Sequence, residues 1–201
     1  KPRVSREALA SHCRGLISSS ACIGGVLGEP FFQDQSSNRD HQVAEWLCGL
    51  FGERFFIELQ DPNWGESSDG RQELYNRRLL QIAQDLKLKT VISSDSHFPC
   101  RKDLDVHRVM MAIQTKKTLK DYMESGELLL PEVCHIRPPS EMLDTAIKIG
   151  SEEAYYNTNL IAEMCEDVNP GTGKIRMPSF PYQDEDDYKN GEFDQWLKTK
   201  G

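Results

Sequence analysis

Phe55-Phe56-Ile57-Glu58-Leu59 and Thr90-Val91-Ile92-Ser93-Ser94, with a helical stretch between them, decide the fold. In the first run Phe55, Ile57 and Leu59 share one face, the period-two pattern of a strand. Between the runs Tyr75, Leu79, Ile82, Ala83 and Leu86 recur at i, i+4, i+7, i+8 and i+11, the stripe of an amphipathic helix. The second run is short and rich in β-formers. Strand, helix and strand make a βαβ unit, whose strands pair in parallel through a right-handed crossover. The chain is therefore expected to be α/β, as a barrel or an open parallel sheet.

Upstream, Ser5 is a plausible N-cap for a helix with Leu9 on its inner face. Leu16 to Cys22 reads as a buried strand, and Gly24-Gly25 as a tight bend at its carboxyl end. Asp40 is the candidate cap of a helix carrying Val43, Trp46, Leu47, Leu50 and Phe51. Downstream the texture becomes helical: Val106, Met110 and Ile113 suit one helix, Thr118 to Met123 a second. Pro138-Pro139-Ser140 opens a third, and Ser151 a fourth that runs to Cys165. Val168 to Asp187 reads as an extended linker.

The 201 residues suffice for one domain with a sizeable core, but only 38% are hydrophobic, so the chain is lean. Either much of it is loop, or some buried surface normally faces a part not included here. Thirty-two acidic against 24 basic residues leave a net charge of −8, which argues against a general nucleic-acid coat. A local site that holds phosphate through metal ions is not excluded. No apolar run approaches the roughly 20 residues of a membrane span. The six cysteines, Cys13, Cys22, Cys48, Cys100, Cys134 and Cys165, lack zinc-ribbon or redox spacing and fit reduced thiols in a cytoplasm.

The sharpest chemical feature is Ser94-Asp95-Ser96-His97-Phe98, directly after a predicted strand. The carboxyl edge of a parallel sheet is where α/β folds place ligands. If the strand continues, Asp95 and His97 point to the same side. Cys22 occupies the same kind of place on another strand. Thiolate, carboxylate and imidazole together suit Zn, Mn or Fe. His12, His41, His107 and His135 read as structural or solvated. Glu58, on the polar face of its strand, reads as exposed, with support of a metal ligand as the alternative. Gly171-Thr172-Gly173-Lys174 lacks the leading glycine, the Ser/Thr and the strand of a phosphate loop. Asp184-Glu185-Asp186-Asp187 is a contiguous acidic run, the pattern of a solvated face.

Gly15-Leu16-Ile17 running into Ala21-Cys22, then Phe55 to Gln60, Val91 to Phe98 and Asp105-Val106-His107 through Ala112 to Leu119 form an ordered set. Pro131-Glu132-Val133, Pro139 to Met142, Ile161 to Cys165 and Met177 to Pro181 continue it. This set resembles the PHP domain of bacterial DNA polymerase III alpha subunits and its path towards the palm. The resemblance implies a partial PHP-type (βα)7 barrel, followed by a mainly helical segment and an extended linker. Residues 1–130 would be the C-terminal half of the PHP domain, and 131–201 the connection onward.

In that family the domain is either a metal-dependent 3′–5′ exonuclease or a structural support for the polymerase. By motif, Cys22 corresponds to the family's cysteine ligand, and Asp95 and His97 to its last Asp-x-His pair. The family's His-x-His motif would lie upstream of Lys1 and the palm beyond Gly201. The implied cofactors are Zn, Mn or Fe at a partial site and Mg for the parent polymerase. The implied partners are the rest of the alpha subunit, DNA through the parent, and exonuclease and sliding-clamp subunits, in the cytoplasm. With so few ligands the isolated chain is expected to be inactive, and half a barrel to be stable only by forming a homo-oligomer, exchanging elements or recruiting the missing half as another chain. Two alternatives stand beside this: a stand-alone PHP-type phosphoesterase, and a non-enzymatic replisome scaffold.

Overall fold

The computed structural model describes residues 4–63, 70–125 and 130–165. Its element order is α1 (Arg6–His12), β1 (Ser18–Ser19), α2 (Gly28–Gln33), α3 (Arg39–Phe51), β2 (Phe55–Leu59), α4 (Arg71–Leu86), β3 (Lys89–Ile92), α5 (Leu104–Gln114), α6 (Leu119–Glu124), α7 (Pro139–Ile149) and α8 (Glu153–Met164). Among the described residues the strands form one parallel sheet in the order β1-β2-β3. Ser18 lies opposite Phe55 and Ser19 opposite Phe56, while Glu58 lies opposite Val91 and Leu59 opposite Ile92. The βαβ unit expected from the sequence is β2-α4-β3.

Lys1–Cys165 form one compact unit. Its core gathers Phe55, Ile57 and Leu59 from β2 with Ala44 and Leu47 of α3 and Tyr75, Leu79, Ile82 and Ala83 of α4. Ala146 of α7 and Ala154 of α8 join the same core. Helix α8 lies along β3, where Asn157 Nδ2 donates to Thr90 O at 2.8 Å and the Thr90 and Ser151 hydroxyls meet at 2.9 Å. The opposite face of β2 carries Phe56 and Glu58; Phe56 is fully buried. No helix among the described residues is long and apolar enough to cross a membrane.

Side-chain caps start two of the helices, α1 and α6. Ser5 accepts from Ala8 N at 3.1 Å and Thr118 from Asp121 N at 3.1 Å, each satisfying an orphan donor of the first turn. Pro139 occupies the first turn of α7, where its missing N–H costs nothing.

Four local expectations change. The strand placed over Leu16 to Cys22 is regular only at Ser18–Ser19, because Ala21 takes φ +59° and ends the extended backbone. Cys22 thus sits in the following turn, closed by Gly25 N donating to Cys22 O at 2.8 Å. Helix α2 follows at once, in a stretch to which the sequence reading assigned no element. Pro30 is tolerated there because it falls in the first turn. Gly28 starts it for a packing reason: a Cβ would lie 2.0 Å from Ile23 O.

Asp40 does not cap α3. It lies in the first turn, buried, and Arg78 Nε and Nη2 donate to its two carboxylate oxygens at 2.6 and 3.0 Å. On α5 the apolar period marks a helix but not its buried side: Leu104 and Ala112 are buried, whereas Val106, Met110 and Ile113 are 61%, 65% and 71% exposed. The linker from Val168, the Gly171 to Lys174 run, the acidic run at 184–187 and the stretch Met177 to Pro181 lie outside the described residues.

Candidate metal-binding rim

The carboxyl ends of the three strands meet around Glu58. Its side chain is neither simply exposed nor adrift on a polar face. Ser19 Oγ donates to Glu58 Oε2 at 2.5 Å and Ser93 Oγ donates to Glu58 Oε1 at 2.5 Å. The amide of Glu58 donates to the hydroxyl of buried Ser20 at 2.9 Å. Backbone bonds run alongside: Ser20 N to Phe56 O and Ser93 N to Leu59 O, each 3.0 Å. One carboxylate on the central strand therefore holds the ends of both neighbours through hydrogen bonds to a charged acceptor, the stronger kind.

Cys22 lies three residues beyond Ser19 and is half-buried. Tyr75, almost wholly buried on α4, lies within electrostatic reach of Cys22, Glu58 and Asp40. Burial first, and then the proximity of Asp40, Cys22 and Glu58, push its phenol well above the ordinary range. Among the described residues its hydroxyl has no hydrogen-bond partner, and neither do Oε1 of buried Gln60 and Gln72. The interior next to the rim thus holds unspent hydrogen-bonding capacity.

Asp95 and His97 leave β3 on a loop. Asp95 takes φ +47°, so the same-side argument for residues i and i+2 of a strand does not operate here. A hydrogen bond relates them instead: His97 Nδ1 lies 2.6 Å from Asp95 O, and 3.9 Å from Asp95 Oδ1. A donor role for Nδ1 leaves the Nε2 lone pair available, which is the arrangement of metal-ligating histidines.

The loop is anchored on its far side. His97 N donates to Cys134 O at 2.8 Å and Ser96 Oγ to His135 O at 3.2 Å, and Phe98 pairs with His135 in a parallel bridge. Phe98, Leu104, Leu130 and Cys134 form a small apolar cluster beneath it.

His107 is the neighbour that sequence reading set aside. Its ring stands edge-on to His97 with centroids 6.4 Å apart and packs on Phe98 at 5.6 Å. Burial, and then the proximity of His97, depress its pKa. The other histidines are structural: His12 Nδ1 contacts Ala8 O, His135 Nδ1 contacts Glu132 O, and His41 lies near Glu45 and Asp85. The serines that tie Glu58 were also missed. Their signal was a hydroxyl at the end of each strand flanking a lone carboxylate on the central one.

The donor types fit a borderline metal, and His97 has the tautomer such a metal requires. The number is incomplete. Among the described residues no three His, Cys, Asp or Glu side chains gather in an arrangement that would hold an ion by themselves. Cys22, Asp95 and His97 therefore do not form a closed set of ligands among the described residues.

A family model described as the PHP domain matches residues 1–62. The chain is 34% identical over 184 residues to the DNA polymerase III subunit alpha of Thermus aquaticus, covering 90% of the chain and 14% of that protein. It is 32% identical over 186 residues to the subunit of Deinococcus radiodurans, covering 90% and 13%. It is 26% identical over 190 residues to the PolC-type DNA polymerase III of Thermotoga maritima, covering 92% and 13%. The chain thus spans about one-seventh of the length of these relatives.

Proposed function

We propose, from similarity over nine-tenths of the chain to DNA polymerase III alpha subunits and a PHP-domain match over residues 1–62, that the chain serves DNA replication as part of such a subunit. In this reading residues 1–130 are the later part of a PHP barrel that other strands complete beside β1. Residues 131–201 are the connection towards the palm, of which α7 and α8 first lie back on the core. Synthesis of DNA with Mg belongs to the parent polypeptide. The working partners are the remainder of that polypeptide, DNA, and exonuclease and clamp subunits in the cytoplasm.

Within this role Cys22, Asp95 and His97 would hold a divalent ion, Zn, Mn or Fe, together with ligands from outside the chain. Such an ion activates water and neutralises phosphoryl oxygens in 3′–5′ exonucleolytic cleavage. The observation that carries the metal reading is His97 Nδ1 spent on Asp95 O in the loop that leaves β3, with Cys22 in the turn that follows β1. The test is metal content by plasma mass spectrometry after dialysis, for the chain and for a Cys22→Ala, Asp95→Asn, His97→Ala variant. About one equivalent held by the first and lost from the second is expected. No metal in either would favour a second reading, a non-enzymatic scaffold, which the incomplete donor set supports.

A further inference from the structure

We infer that Glu58 is the positioning residue of the rim: its carboxylate locks the loop that carries Cys22 and the loop that carries Asp95 and His97 at one fixed separation. The inference deepens the metal reading above and rests on it for its purpose, but not for its test. Three observations carry it. First, both oxygens of Glu58 are engaged, and by different chain segments: Ser19 on one side and Ser93 on the other, both at 2.5 Å. A carboxylate that merely filled space would not divide its two oxygens between the two neighbouring strands.

Second, the regular sheet stops at the clamp. Strand β1 ends at Ser19 and β3 at Ile92, one residue before Ser93. Past these points ladder hydrogen bonds give way to single contacts, with Ala21 at φ +59° and Asp95 at φ +47°. Cys22 is three residues beyond one clamped serine; Asp95 and His97 are two and four beyond the other. The last point at which the two loops share a rigid reference is therefore Glu58. Third, the carboxylate sits where a hydrophobic residue would suffice for packing. Its neighbour on the same face of β2, Phe56, is fully buried, so packing on that face does not require a charge, and the charge has the two serines to explain it.

The prediction follows from the chemistry of the substitutions. Glu58→Ala removes both acceptors and frees two hydroxyls. Glu58→Gln keeps one acceptor and supplies an N–H donor, and a serine hydroxyl takes either role, so both links re-form. The measurement is the alkylation rate of each cysteine in native protein, resolved by mass spectrometry, with amide exchange over residues 93–98. It is made in EDTA, so the outcome does not depend on bound metal. Cys13 and Cys48, half-buried like Cys22 but distant from the clamp in sequence, are internal references.

Glu58→Ala is expected to speed Cys22 alkylation and exchange over 93–98 several-fold, through local opening, with Cys13 and Cys48 unchanged. Glu58→Gln is expected to restore the wild-type rates. Ser19→Ala should loosen the Cys22 side alone and Ser93→Ala the Asp95–His97 side alone. Unchanged Cys22 reactivity in Glu58→Ala, acceleration of all three cysteines together, or a Gln variant that behaves like the Ala variant would each overturn the inference. Because metal content is measured separately, failure here and failure of the metal reading are told apart.

Discussion

Replacing Arg137 by Met tests how the segment after residue 130 is held to the sheet. Arg137 and Asp61 face each other with side chains each only 8% exposed, and Arg137 Nη1 donates to Asp61 Oδ2 at 2.6 Å. The same guanidinium donates to Glu141 Oε2 and Glu141 O, both at 3.2 Å, and to Thr145 Oγ1 at 2.8 Å. Asp61 lies just beyond β2, whereas Glu141 and Thr145 lie on α7, so one side chain joins the sheet's rim to the returning helices.

Met fills much of the volume but leaves the Asp61 carboxylate buried with, among the described residues, only Asn63 N at 2.8 Å and a long contact to Thr145 Oγ1 at 3.4 Å. Stripping one partner from a buried ion pair costs about 3–5 kcal/mol. That is at least about a fifth of a typical folding free energy of about 5–15 kcal/mol. In urea unfolding followed by far-ultraviolet circular dichroism, the midpoint should fall by roughly 1–2 M at constant slope.

Neutralising the orphan should restore most of the loss, so Arg137→Met with Asp61→Asn should be more stable than Arg137→Met alone. A single-variant loss below about 1 kcal/mol, the range of an exposed bridge, would refute the reasoning. So would a double variant as unstable as the single.

Burial alone would raise the Asp40 carboxyl, but the Arg78 hydrogen bond, the His41 amide and the Arg78 charge outweigh it, so its pKa lies below the ordinary value. A depressed carboxyl contributes stability in full above its unfolded value of about 3.9 and loses it as pH falls through the folded value. Wild-type urea midpoints measured from pH 6 to pH 3 should therefore fall more steeply than those of Asp40→Asn, and parallel curves would contradict the assignment. Gly28→Ala should destabilise by about 2–3 kcal/mol, because its Cβ would meet Ile23 O at 2.0 Å; thermal unfolding measures it, and an unchanged midpoint would refute the close approach. Met110→Glu with Ile113→Glu should change stability by no more than about 0.5 kcal/mol each, since both side chains face solvent; a large loss in the same assay would place them in a core.

Local pattern carried the sequence reading where a residue's fate depends on its near neighbours. Phe55–Leu59 alternates and is a strand over those residues, and the stripe from Tyr75 to Leu86 is the buried side of α4. Ser5 and Thr118 cap because a cap needs only the next three residues. The Asp-x-His pair and Cys22 were legible as lying shortly after strands, but not the turn and the loop that carry them.

Tertiary structure decided what distant residues supply. Asp40 looks like a cap until Arg78 arrives from α4, and Glu58 looks exposed until Ser19 and Ser93 close on its two oxygens. The stripe on α5 shows a helix in any context, but which side is buried depends on what else packs there. Periodicity is a property of one segment, whereas burial and hydrogen-bond partners are properties of pairs. For that reason the sequence by itself determined the α/β order and the candidate donors, and only the folded chain determined what clamps them.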